Sequence, residues 1–285
     1  MINQTPALLF LASFFLLSST ALAEEQGIKE LNQALAYIKE SYYGTVDMSS
    51  LAGLSLQAVV DSLDKDSRLV EGGMPSLDFV RGLEGEASIA KVGLIAPEMG
   101  YIKINFFGRR TGFHFHEALE VLGYRTGTRI GHKEGIKGLL LDLRDNPGGH
   151  LQSALEVLKH FVPPGKTLLV EKTRGGEKPY LLDVGSATEI PLIILINGST
   201  ASSAEIVAAA LRDHSGARVV GERSKGKGTI QEVIPLGTRT LILTVGEYLL
   251  PDGSSLRDKG VIPDMEVKGH EEQLQAALSL ISGVH

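Results

Sequence analysis

Cysteine is absent from all 285 residues. That absence removes a disulfide framework, a thiol nucleophile and a cysteine-linked lipid anchor together. A basic surplus is missing as well, with 28 Lys and Arg against 34 Asp and Glu and a formal charge of −6. No basic stripe interleaves with aromatic residues, which argues against nucleic acid as a partner. Metal-ligand spacing is also lacking. His114 and His116 alternate around Phe115, but no third histidine or acid stands in register, so no metal and no cofactor is expected. There is no internal repeat and no low-complexity linker. What the chain does have is 43% hydrophobic and 22% charged residues, enough for one main domain with a small accessory piece. Its 33 glycines are scattered between apolar runs, a sign of tight turns rather than disorder.

An apolar run stands out at the amino end. Ala7 to Leu17 is almost wholly apolar, Ser18 to Thr20 is small and polar, and Ala21-Leu22-Ala23 offers a small-x-small cleavage site before Glu24. Residues 2–6 carry no Lys or Arg, yet the run is short for a bilayer span of about 20 residues. The expectation is a signal peptide over residues 1–23 and an exported protein, periplasmic or secreted after cleavage.

Residues 24–70 read as a small helical segment. Ile28, Leu31, Leu35 and Ile38 recur at helical spacing, and Asp47-Met48-Ser49-Ser50 offers caps for a second helix with Leu51, Leu54, Val59, Val60 and Leu63. Over residues 71–285, strands and helices alternate. Strands are expected at Tyr101–Phe106, Ile136–Leu143, Thr167–Glu171, Leu192–Ile196, Val219-Val220, Gln231–Leu236 and Thr240–Val245. Helices are expected at Phe113 to Leu122, through Leu158, after Ser202, and from Glu271 to Ile281. The class is α/β.

The chemistry concentrates in Asn197-Gly198-Ser199-Thr200-Ala201-Ser202-Ser203-Ala204-Glu205-Ile206, where an apolar strand runs into a small-residue turn and then a helix. A serine there meets free N–H groups and the favourable end of the helix dipole, although such hydroxyls can also serve only as caps. Four further segments accompany it: Leu143-Arg144-Asp145-Asn146-Pro147-Gly148-Gly149, Gly221 to Gln231, Tyr248-Leu249-Leu250-Pro251-Asp252-Gly253, and Lys259 to Asp264. In this order and spacing the set resembles the carboxyl-terminal processing peptidases, or tail-specific proteases, over roughly Leu35 to Val267. The resemblance implies a crotonase-like core of ββα units and a Ser–Lys endopeptidase acting on protein or peptide substrates. Relatives insert a PDZ domain after the stretch resembling Leu63 to Ser67. Here the path to Tyr101 is too short for one.

By that resemblance Ser202 is the nucleophile, Lys227 its base and Gln231 the residue that orients the lysine. A lysine with its ordinary pKa near 10.4 is protonated at neutral pH, so burial of Lys227 is expected to lower it. Lys225 competes for the role, but Gly-Lys-Gly with Gln at the fourth position fits only Lys227. The oxyanion hole is expected from the N–H of Ser203 and one from the Pro147-Gly148-Gly149 turn, with Gly148 placed first and Gly149 open. Asp142 and Arg144 read as organisers of that turn. His214 lies a full helix away from Ser202 and reads as a helix-terminus cation. His150 either lines the cleft or faces solvent. The rival readings are a non-catalytic binding protein on the same fold and a protease that needs a regulatory partner. By analogy with the family, the N-terminal helices are candidate homodimer elements.

Overall fold

The computed structural model describes residues 26–46, 56–71, 88–124, 136–187 and 190–282. The expected signal peptide, the start of the second helix and the Gly72 to Pro75 stretch lie outside them. The chain divides into two units, one formed by Met1–Ser76 with Gln231–Val245, the other by Leu77–Ile230 with Gly246–His285.

In the first unit, helix α1 covers residues 26–41 and buries Glu30, Ala34 and Ile38 at helical spacing. Glu30 is a buried acid because Arg239 reaches it at 2.7 Å. Helix α2 (Leu56–Asp61) buries Leu56, Val59 and Val60, as the apolar spacing requires. Strand β1 (Arg68–Glu71) follows and pairs antiparallel with the Arg239–Ile242 stretch contributed from late in the chain.

The second unit is organised by a six-stranded sheet. Its strands are β2 (Ile89–Ala96), β3 (Met99–Ile104), β4 (Gly138–Asp142), β7 (Leu192–Ile196), β8 (Arg218–Gly221) and β11 (Met265–Glu266), in the order β11-β8-β7-β4-β3-β2. From β3 to β11 the neighbours are parallel, and β2 is antiparallel at the edge. A parallel strand covered on both faces needs apolar side chains on both, hence the uninterrupted runs Gly138-Leu139-Leu140-Leu141 and Leu192-Ile193-Ile194-Leu195-Ile196, every residue buried. Helices α3 (Thr111–Val121), α4 (Leu151–Leu158) and α5 (Ser203–Ser215) share one apolar core with the sheet. Helix α6 (His270–Ser282) covers a second core of Tyr101, Leu140, Ile193, Leu195, Val220 and Ala277. Ser203 to Leu211 of α5 are all buried, and the small Ala204, Ala208, Ala209 and Ala210 let that helix sit deep. The remaining elements are the hairpin β5 (Thr167–Thr173) and β6 (Gly176–Leu181), strand β9 (Thr229–Leu236) and strand β10 (Arg239–Leu249), whose last residues pair with β5.

Four strands, β1, β2, β6 and β11, appear where the sequence pattern gave no signal. Strand β6 is almost wholly exposed and carries Glu177, Lys178 and Pro179, so it shows no apolar alternation. Strand β2 is a half-buried edge strand, and its register with β3 is broken by irregularities at Ile89/Lys91 and Leu94/Ala96, which blurs a period of two.

Candidate active site

The parallel strands β3, β4, β7 and β8 all end on the same side of their sheet, where open α/β sheets place their functional loops. The loop after β3 docks on the loop after β4, since Phe107 N donates to Gly148 O (2.9 Å) and His150 N to Phe107 O (2.6 Å). The loop after β7 is tied to the same turn. Asn197 accepts from Asp145 N at 3.0 Å and donates to Asp145 Oδ1 at 2.8 Å. The Thr200 hydroxyl donates to Leu143 O (2.8 Å), and Ala201 N to Asn146 O (2.9 Å).

Ser202 stands at the junction of this loop with α5, with φ 57° and ψ −124°. A non-glycine residue in that region is strained, and the surrounding hydrogen bonds are what hold it there. The serine is partly exposed while its neighbours Ala201 and Ser203 are buried. The carboxylate of Glu205, itself fully buried, organises the turn. Its Oε2 accepts from Ser202 N (2.7 Å) and Lys227 N (2.9 Å), and its Oε1 from Gly226 N (2.7 Å) and the Ser224 hydroxyl. One side chain thus fixes the serine turn and the lysine loop to each other. A second link runs from Lys225 N to Thr200 O (2.9 Å). Sequence reasoning gave Glu205 no role, although Ser202-Ser203-Ala204-Glu205 has the spacing of a capping box, which was the available signal.

Lys227 departs from expectation in one respect. Its backbone is held by Glu205, but its side chain is exposed. The described residues therefore do not provide the burial that was to disfavour its charge. Lys225 is exposed too, its backbone engaged with Thr200. Gln231 belongs to the first unit, where its amide nitrogen donates to Asp66 O at 2.7 Å and leaves the carbonyl oxygen as its remaining acceptor.

The glycine turn also differs in detail. Gly148 N donates to Asn146 Oδ1 at 2.8 Å, so this N–H, placed first for the oxyanion hole, already has an acceptor. Asn146 in turn donates to Ile104 O at 2.9 Å. Among the described residues the N–H groups of Gly149 and Ser203 have no acceptor. Gly148 instead provides room. A Cβ there would lie 2.7 Å from Ser202 Cβ and 3.0 Å from Ser203 N, and its φ of +92° favours glycine besides.

Beneath the turn, Asp142 and Arg144 form a buried pair: Arg144 Nε donates to Oδ1 (2.9 Å) and Nη2 to Oδ2 (2.6 Å). Tyr101 donates to the same carboxylate at 2.8 Å, and Lys103 Nζ lies 3.6 Å from it. Burial pushes the Asp142 carboxyl up, but hydrogen bonds from Arg144, the Lys103 and Arg144 charges and the Tyr101 hydroxyl bring it below the usual range. Burial and then the Asp142 charge push the Tyr101 phenol well up, so it stays a donor. His150 is exposed and caps α4, its Nδ1 accepting from Ser153 N at 3.3 Å. His214, near the far end of α5, bonds to Thr167 O at 2.7 Å.

The profile of peptidase family S41 matches residues 98–267. The chain is 36% identical to the carboxy-terminal processing protease CtpB of Bacillus subtilis over 172 residues, covering 60% of this chain and 34% of that protein. It is 37% identical over 180 residues to the carboxy-terminal-processing protease of Bartonella bacilliformis, covering 61% and 40%. The chain thus spans between a third and two fifths of the length of these curated relatives. Among solved structures, the photosystem II D1 C-terminal processing protease superposes with a TM-score of 0.54 at 28% identity, covering 70% of this chain and 51% of that one. A lipoprotein from Streptococcus agalactiae shares the fold with a TM-score of 0.68 at 17% identity, over 89% of this chain and 95% of that one.

Proposed function

The chain belongs to peptidase family S41, and from that premise we propose that it is an exported serine endopeptidase with a Ser202–Lys227 dyad on a crotonase-like core. The observation that carries the reading is the Glu205 carboxylate, which holds the backbone of Ser202 and the backbone of Lys227 through the same oxygen, at 2.7 and 2.9 Å. A serine fixed in a strained turn at a helix N-terminus, with a lysine loop pinned beside it, suits nucleophilic attack on a peptide carbonyl. Ser202 Oγ forms the bond to that carbon while Lys227 takes its proton. The oxyanion is met by the N–H of Ser203 and of Gly149, with Gly148 leaving space in front of them. Lys227 then gives the proton to the leaving amine, and water hydrolyses the acyl-enzyme.

A solvated lysine is a poor base. On this reading a bound peptide covers the exposed Lys227 and excludes water from it. By the family resemblance, Gln231 has the role of orienting the lysine. The named relatives process carboxyl-terminal regions, and protein substrates of that kind are proposed here. We read the short path from Ser67 to Tyr101 as too short for a PDZ domain, which makes a protease active only with a regulatory partner the alternative reading; pairing of two copies through the N-terminal helices belongs to the proposal.

The test is hydrolysis of an unstructured protein by the chain lacking residues 1–23. Ser202→Ala abolishes cleavage and keeps the fold, whereas Ser199→Ala and Ser203→Ala retain most activity. Inactivation by Ser203→Ala with a working Ser202→Ala protein would move the nucleophile by one residue. A carrier on the same fold would show no cleavage in any of them.

A further inference from the structure

Helix α6 begins at His270, beyond the family match, yet its first turn touches the catalytic turn. Gln273 on that helix is fully buried although polar. A buried amide needs partners for both ends. Its Nε2 donates to Val267 O at 2.9 Å, and its Oε1 accepts from Arg144 Nη1 at 3.4 Å. The same Arg144 nitrogen donates to His270 O at 2.7 Å. The guanidinium is thereby shared between Asp142 on one side and the first turn of α6 on the other. Next in sequence to Arg144 is Asp145, held at φ 62°, which opens the run to Gly148 and Gly149.

We propose that Gln273 is a positioning residue for the oxyanion turn: it anchors the Val267–His270 connection so that the His270 carbonyl faces Arg144, and Arg144 in turn fixes where residues 145–149 stand. This rests on reading that turn as part of the oxyanion hole. Apolar contacts of Leu274, Ala277 and Leu280 with the sheet hold the body of α6 independently of Gln273, so the amide's task is aim rather than attachment. The residue types fit that task. A glutamine supplies the acceptor for Arg144 and the donor for Val267, a glutamate only the acceptor, and a leucine neither.

The experiment compares the full mature chain with Gln273→Leu, Gln273→Asn and Gln273→Glu, well below each protein's melting temperature. It reads kcat and KM separately, and hydrogen exchange of the amides at 145–149. Gln273→Leu and Gln273→Asn lower kcat about tenfold or more with KM within about twofold, and exchange at 145–149 speeds up. Gln273→Glu keeps the acceptor for Arg144 but loses the donor to Val267, so it recovers only part of the lost kcat and leaves exchange at 145–149 faster than in the unsubstituted chain. Should the leucine variant not fold, the asparagine variant decides. A folded leucine or asparagine variant with wild-type kcat and unchanged exchange overturns the proposal. If the unsubstituted chain cleaves nothing, the function proposed above fails, and exchange alone then judges the role of Gln273.

Discussion

Replacing Glu205 by glutamine changes one oxygen to an NH2 group and leaves the volume of a fully buried side chain nearly unaltered. The carboxylate accepts from Ser202 N, Lys227 N, Gly226 N and the Ser224 hydroxyl. The amide has one carbonyl oxygen, so it must choose a side. Turned with its NH2 toward Ser202 and Lys227, it leaves both backbone N–H groups facing a donor. Turned toward Ser224 and Gly226, it can donate to the serine oxygen and orphans only Gly226 N–H, the cheaper choice. An orphaned buried donor costs about 1–3 kcal/mol, and the surviving bonds lose their charge assistance. A total near 2–4 kcal/mol follows, shared between the stability of the fold and the placement of Ser202 against Lys227. The bonds to Ser202 N and Lys227 N survive as neutral ones to the amide oxygen, so about half of the loss reaches placement and kcat/KM drops about 5- to 30-fold. Glu205→Gln should therefore melt earlier and cleave an unstructured protein far more slowly at a temperature where it is still folded. A variant that keeps both its melting temperature and its kcat/KM refutes the idea that this carboxylate holds the serine and lysine loops together.

Other outcomes follow from the same geometry. Gly148→Ala puts a Cβ against Ser202 Cβ and in front of Ser203 N, and forces alanine to a φ of +92°. It should lower kcat by about a hundredfold or more and stability by about 1–2 kcal/mol, read by kinetics and thermal melts. Lys227→Arg should be as inactive as Lys227→Ala, because a guanidinium keeps its proton throughout the working pH range; substantial turnover by the arginine protein counts against the lysine as base. Burial, with help from His116 and Lys159, holds the His160 ring down at about 4. The unfolded chain takes up that proton first, so the contribution is complete above about pH 6.5 and lost as pH falls toward 4. His160→Phe should flatten that acid loss in melts recorded across this window, and an unchanged slope would show that other groups cause it.

Much of the architecture was legible because parallel strands covered on both faces must be apolar throughout, as Leu139 to Leu141 and Leu192 to Ile196 are. The edge strands were not, since an exposed strand such as Gly176–Leu181 has no core face to pattern it. In the candidate site, the resemblance to the processing peptidases singled out Ser202 and Lys227, but the sequence could not reveal that the lysine side chain stands exposed. The Asn146 side chain accepts from the Gly148 N–H two residues on, a local habit of asparagine that spacing alone does not announce. Gln273 was beyond reach, because its partner Arg144 is 129 residues away and only the fold brings them together.

The most direct test of the account is mass-spectrometric mapping of the adduct formed when the chain lacking residues 1–23 meets a serine-directed phosphonofluoridate. The account predicts one phosphonylated residue, Ser202, with labelling lost in Ser202→Ala and strongly slowed in Lys227→Ala. An adduct on Ser203 or another hydroxyl, or active protein that resists the reagent while still cleaving peptides, would contradict it.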